Sequence, residues 1–263
     1  MSFLNTILEA TRSGVEERKL RLPLDVLRGR PLYRRTPHSL SAALRASSPA
    51  IIAEIKRASP SRGVIRPQCD PFLIAGAYMA AGAAAVSVLT EEKHFLGSLH
   101  DLEEARRALS IPILRKDFIV DPYQVHESKA SGADAILLIA AALSPGDLIT
   151  LRDEAGALGM ESLVEIHSPA ELAALAGAGL TLVGINNRDL VTFQTDITLS
   201  ETLGPLLPTG TVGVSESGIK SGREIARLSR SGIRAFLVGE HFMSAEDPGS
   251  ALAELIRGGG GIS

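Results

Sequence analysis

IIAEIKRASPSRG, residues 51–63, holds the first strand of the chain's repeating pattern and the turn after it. Its opening is apolar apart from Glu54 and reads as a strand covered on both faces. The strand then runs into Lys56-Arg57-Ala58-Ser59-Pro60-Ser61-Arg62-Gly63. A doubly wound sheet usually follows its first strand with a G-x-G-x-x-G turn, and none is present. Working outward, comparable runs recur at AAVSVLT (84–90), PILRKDF (112–118), AILLIAA (135–141) and SLVEIH (162–167). They continue at LVGINNR (182–188), TVGVSES (211–217) and RAFLVGE (234–240). Helical segments with marked ends lie between them. Asp70-Pro71, Asp121-Pro122, Ser144-Pro145, Ser168-Pro169 and Asp247-Pro248 each set a capping side chain before a first-turn proline. Ser168–Glu171 and Ser221–Glu224 also match the capping box. Gly82, Gly132, Gly159, Gly179, Gly232 and Gly258 stand where left-handed C-caps are expected. Eight such units in about 210 residues predict a single (β/α)8 TIM barrel over residues 49–257. Residues 1–48 read as an N-terminal extension packed on it, helical over 2–20 and loop-like afterwards. Residues 258–263 read as a frayed tail.

Composition narrows the function classes. With Cys69 as the only cysteine, no disulfide or cysteine-based metal site can form within the chain. The six histidines show neither H-x-x-x-H nor H-x-H spacing, which argues against a metal site. A formal charge of −3 argues against general nucleic-acid affinity. The longest apolar runs, such as residues 135–143, fall far short of the ~20 residues that span a membrane. The first residues lack the apolar core of a signal peptide, so a soluble cytoplasmic protein is expected, as a monomer or weak homo-oligomer. Residues 1–36 carry eight basic residues against four acids. They read as a solvated amphipathic helix, with a cover over an anionic substrate as the sharper alternative.

The polar residues inside the apolar runs collect at their C-terminal ends. Glu54 and Lys56 end the first run, Arg115-Lys116-Asp117 the third, and Glu165 with His167 the fifth. Asn186, Asn187 and Arg188 end the sixth, Glu216 and Ser217 the seventh, and Gly239 with Glu240 the eighth. Side chains alternate along a strand, so Glu54 and Lys56 share one face, as do Asn186 and Arg188. The opposite face packs under helices, where unpaired charge is costly. These charges therefore point into the barrel mouth, the face where barrel enzymes carry their catalytic residues. The Gly-containing turns after the last two runs, around Gly218 and Gly239-Glu240, suggest a phosphate held by backbone N–H groups. Phe95 and Phe118 follow the second and third strands and are either core filler or a platform for a flat ring.

Seven stretches resemble the family of indole-3-glycerol phosphate synthases. They are IIAEIKRASPSRG (51–63), SVLTEEKHFLGS (87–98), ILRKDFIVDPYQ (113–124), LVEIH (163–167), GINNRDLVTF (184–193), SESGI (215–219) and VGEHFM (238–243). The resemblance runs from residue 1 to about 257. Arg62 stands where the family commonly has Lys, and His241 where a small residue is usual. The resemblance implies a cofactor-free carboxy-lyase of tryptophan biosynthesis. It would cyclise 1-(2-carboxyphenylamino)-1-deoxyribulose 5-phosphate with loss of CO2 and water. By the same resemblance Lys116 is the general acid and Glu165 the acid–base partner of dehydration. Lys56 neutralises substrate charge, Glu54 orients the lysines, and Asn186 and Arg188 position the substrate. Glu216 and Ser217 line the site, and Ser59, Pro60, Phe95 and Phe118 bind the anthranilate part. Gly218, Gly239 and Glu240 hold the phosphate. Two alternatives stand beside this reading. One is a sister phosphate-binding barrel such as phosphoribosylanthranilate isomerase, which relies on a Cys/Asp pair; Cys69, in a loop before a helix, suits that role poorly. The other is an inactive ligand-binding barrel.

Overall fold

The computed structural model describes residues 3–260. Eight parallel strands close on themselves, with β1 (Ala50–Ile55) paired to β2 (Ala85–Leu89) on one side and β8 (Ala235–Val238) on the other. Between them run β3 (Ile113–Lys116), β4 (Ala135–Ile139), β5 (Glu161–Ile166), β6 (Leu182–Asn186) and β7 (Val212–Glu216). This is the expected (β/α)8 barrel. The helices around it include α4 (Pro71–Ala80), α5 (Leu99–Ala108), α6 (Pro122–Ala130), α7 (Pro145–Ala157) and α8 (Pro169–Ala174). The ring is completed by α9 (Thr198–Leu203), α10 (Gly222–Ser229), α11 (Glu240–Met243) and α12 (Pro248–Gly259).

All five proline-led starts form helices whose cap side chain accepts a backbone N–H, for example Asp70 from Leu73 and Ser144 from Asp147. Each such cap contributes about 1 kcal/mol. Ser221 and Glu224 make the full capping box. The Ser168–Glu171 box is only half made: Ser168 accepts from the Glu171 N–H, but Glu171 accepts from the N–H of His167 instead of closing back on Ser168. Gly82, Gly132, Gly159, Gly179 and Gly232 have positive φ, as C-caps require. Gly258 does not. It lies inside α12, and its carbonyl would meet any Cβ on Gly222, so the two glycines let α10 and α12 approach closely. The helix thus extends past residue 257 to Gly259, which is buried, and shortens the expected tail. Residues 261–263 of that tail lie outside the described residues.

Period-two alternation builds the interior in layers. Ala50 and Ile52 of β1, Leu114 of β3, Leu163 of β5, Leu182 of β6 and Val212 and Val214 of β7 all join one buried cluster inside the barrel. The next inward position up each strand is Glu54, Lys116, Glu165, Gly184 and Glu216 respectively. Outward residues such as Ile51, Ile113, Val164 and Ile185 pack in a second cluster under the helices.

The extension is more ordered than expected after residue 20. It contains α1 (Phe3–Arg21), α2 (Leu24–Gly29), a 3-10 turn at Pro31–Arg34 and α3 (Leu40–Ala46). Leu40 and Leu44 of α3 are fully buried in the interior cluster and plug the barrel floor. Burying a leucine contributes about 1.5–3 kcal/mol. The basic side chains do not face the pocket. Arg18 pairs with Glu127 of α6 at 2.7 Å, Lys19 with Asp121 at 2.8 Å and Arg30 with Glu103 of α5 at 2.8 Å. Arg35 reaches Asp134, which is completely buried. These charges strap the extension to the barrel wall. Among the described residues no helix is long and apolar enough to cross a membrane.

Candidate active site

A cavity of about 750 Å3 opens at the C-terminal ends of the strands. Every residue assigned to the site from the sequence lines it: Glu54, Lys56, Ser59, Pro60, Phe95, Lys116, Phe118, Glu165, Asn186, Arg188, Glu216, Ser217, Gly218, Gly239 and Glu240.

Lys116 is central. Its Nζ donates to Glu165 Oε2 at 2.8 Å and lies 3.3 Å from Glu216 Oε2. Burial opposes its charge, but Glu165, Glu216 and Glu54 outweigh that and hold the ammonium above the ordinary lysine range. Burial alone would raise Glu165, yet Lys116 and His167 bring it down to about 2. Glu216 goes the other way, up to about 8, because burial dominates and Lys116 is shared with Glu165. A second pair, Lys56 and Glu54, is joined by a short hydrogen bond along the same face of the first strand. Gly184 and Gly239 make room for the acids: a Cβ on Gly184 would overlap Glu216 Oε1, and one on Gly239 would overlap Glu54 Oε1.

The neighbouring loops are fixed from outside the cavity. Asn187 is buried, and its amide donates to Ser215 Oγ and to the carbonyls of Glu216 and Ser217. Ser217 and Gly218 then follow at positive φ, 67° and 84°, a turn that ends β7. Ser217 Oγ donates to Asn186 Oδ1 at 2.9 Å. The Glu91 carboxylate accepts the N–H groups of Lys93, His94 and Phe95, which sets Phe95 at the mouth. The loop after β1 is pinned by Arg57, whose guanidinium donates to Asp101 and to the Cys69 carbonyl.

Across the mouth, Glu240 pairs with Arg188 at 3.2 Å and with Arg62 at 3.3 Å, while Arg188 also donates to Ser61 Oγ. Arg115 and Asp117, by contrast, belong to the outer face. They form a buried pair at 2.9 Å, with Glu127 3.7 Å from Arg115.

Several lining residues carried no sequence signal. Phe3, Leu4 and Ile7 of α1 cover the cavity, and Phe3 packs on His94 and Phe193 at centroid distances of 5.2 and 5.5 Å. Nothing local marks an N-terminal phenylalanine as a roof. Leu137 and Ile139 of β4 supply part of the apolar floor. His167, which ends the fifth run with Glu165, is not one of these lining residues. Its Nε2 stands 3.3 Å from Glu165 Oε1. Burial disfavours its charge, but Glu171 and Glu165 raise its pKa.

Comparisons with known proteins bear on the fold and the family. Solved structures of 3-hexulose-6-phosphate synthase and of thiamine phosphate pyrophosphorylase from Pyrococcus furiosus superpose with TM-scores of 0.62 and 0.61. They cover 80% and 83% of this chain, and 99% and 96% of their own, at 13% identity, a likeness of fold alone. Proteins named indole-3-glycerol phosphate synthase are far more similar in sequence. One from Dehalococcoides mccartyi is 46% identical over 97% of this chain and 100% of its own length. Others from Salinibacter ruber and Mycolicibacterium smegmatis are 45% and 43% identical over 97% and 98% of this chain and 95% of their own. The family model described as indole-3-glycerol phosphate synthase matches residues 4–255. This chain belongs to the indole-3-glycerol phosphate synthase family.

Proposed function

We propose that the barrel mouth closes the indole ring of 1-(2-carboxyphenylamino)-1-deoxyribulose 5-phosphate, with loss of CO2 and water. The observation that carries this reading is the Lys116 ammonium, held between Glu165 and Glu216 at the end of three strands. A ketone is a poor electrophile until its oxygen is protonated, and a buried ammonium aimed into the cavity is suited to deliver that proton. Lys116 is the general acid as the ring carbon attacks. Glu165 takes up the proton lost in the final dehydration and can return it to Lys116 across 2.8 Å.

The remaining residues position the substrate. Phe95, Phe118 and Pro60 wall the aromatic ring, and Ser59 donates to the carboxylate that leaves. Lys56, oriented by Glu54, offsets substrate charge, and Asn186 and Arg188 hold the hydroxylated chain. Backbone N–H groups of Gly218, Gly239 and Glu240 hold the phosphate. Folding a flexible chain against a flat ring is largely an entropic problem, and a preformed cavity of this size supplies most of the ordering in advance. The protein acts as a soluble cytoplasmic enzyme on a small phosphorylated substrate, as a monomer or weak homo-oligomer.

The test is direct. Purified protein mixed with the carboxyphenylamino substrate produces indole fluorescence and one CO2 per turnover; absence of product rejects the reading. Glu165→Gln stalls at dehydration and accumulates the closed, hydroxylated ring, seen by mass spectrometry of quenched reactions. Full turnover by that variant removes Glu165 from the role.

A further inference from the structure

Glu216 is almost completely buried, and neither of its carboxyl oxygens makes a hydrogen bond among the described residues. Lys116 directs its hydrogen bond to Glu165 and leaves Glu216 Oε2 at 3.3 Å. The facing groups are Lys116 from β3, Glu165 and His167 from β5, and the Glu54–Lys56 pair on the β1 side. Glu54 and Lys56 neutralise each other, as do Glu165 and Lys116, and a charged His167 is offset by Glu171 at 3.8 Å. An ionised Glu216 would be a surplus buried charge, which is strongly disfavoured. It would also repel a substrate that carries a carboxylate and a phosphate.

We propose that Glu216 enters the reaction as a neutral carboxylic acid and serves as the proton reserve of Lys116. This rests on the ring-closure reading above. The proton balance calls for such a reserve. A substrate carboxylate that leaves as CO2 makes the overall reaction consume one proton. Lys116 gives its N–H proton to the ketone oxygen as the carbon–carbon bond forms, and is left as an amine. The Glu216 O–H proton then moves to Lys116 Nζ, restoring the ammonium and leaving Glu216 as a carboxylate beside it. The C–COO− bond breaks, and its electron pair restores the aromatic ring. The recharged Lys116 protonates the departing hydroxyl, which leaves as water. Glu165 takes the ring C–H proton and passes it back to Lys116. Solvent returns one proton to Glu216, which matches the one consumed. The raised pKa of Glu216, about 8, agrees with a proton held at neutral pH. Glu216 acts through Lys116 and is a positioning and proton-holding residue.

Infrared spectroscopy of the free protein tests this without relying on turnover. At about pH 6 the wild type shows a carboxylic C=O band that shifts in D2O, and Glu216→Gln lacks it. Titrating the wild type toward about pH 10 abolishes the band with a midpoint near 8. If Glu216→Gln removes only a carboxylate band at about pH 6, the proposal is wrong. If that variant does not fold, the wild-type titration decides alone, since no carboxylic band lost on that path also overturns it. In turnover, Glu216→Gln lowers kcat by about tenfold or more, changes KM only a few-fold and loses the fall in kcat/KM through pH 8. Unchanged kcat in the variant contradicts the reserve. A wild type with the band but no indole formation instead rejects the ring-closure reading.

Discussion

Lys116, Glu165 and Glu216 come from three strands and meet within 3.3 Å at one nitrogen. Their presence at the barrel mouth was legible in the sequence, because each follows an inward leucine or valine by two residues. Their unequal protonation was not legible, since it depends on how closely the strands bring them together. That inequality has a consequence for stability. Burial holds the folded Glu216 carboxyl near 8, against 4.5 for an exposed one, so folding takes up a proton between those values. Stability from that proton is complete below about pH 4.5 and is lost as pH rises to about 8. Glu216→Gln has no such dependence. The variant's Tm minus the wild-type Tm therefore grows from pH 4.5 to pH 8, as thermal unfolding at both pH values will register. A difference that does not grow over that range contradicts the assignment.

Two elements carry the site's mechanics: the loops across the mouth and the floor helix α3. Glu240 already pairs with Arg188 and Arg62, so a substrate chain held by Arg188 has to compete with a carboxylate for that guanidinium. Glu240→Gln keeps the side chain's length and removes its charge. KM is expected to fall a few-fold at low salt, with the gain shrinking as salt screens it. A raised KM would mean that the carboxylate instead orients the arginines for binding. This link was beyond sequence reading, because residues 62 and 188 lie in two loops and residue 240 opens α11, with no shared periodicity. At the other end, Leu44 plugs the barrel far from the chemistry. Leu44→Ala is expected to cost about 2–5 kcal/mol in urea unfolding while leaving kcat near wild type. In the sequence the residues after position 20 read as loop. Their helices are short, and their stability comes from packing on the barrel more than from local periodicity.

At the scale of the whole molecule, the barrel was the most legible feature, because eight strands and their caps repeat one pattern. The extension was the least legible. Its basic residues read as a solvated face, with a cover over an anion as the alternative, whereas Arg18, Lys19 and Arg30 strap it to α5 and α6 and Phe3 does the covering. Barrel, extension and loops together build one cavity around the Lys116 ammonium. On the proposed reading this ammonium delivers the proton that closes the ring. Comparing Lys116→Met with wild type in kcat and in substrate Kd tests it most directly. A general acid contributes about 100-fold to 10,000-fold. The variant is expected to lose kcat by that order while Kd stays within a few-fold. Near-normal kcat in Lys116→Met would contradict the account.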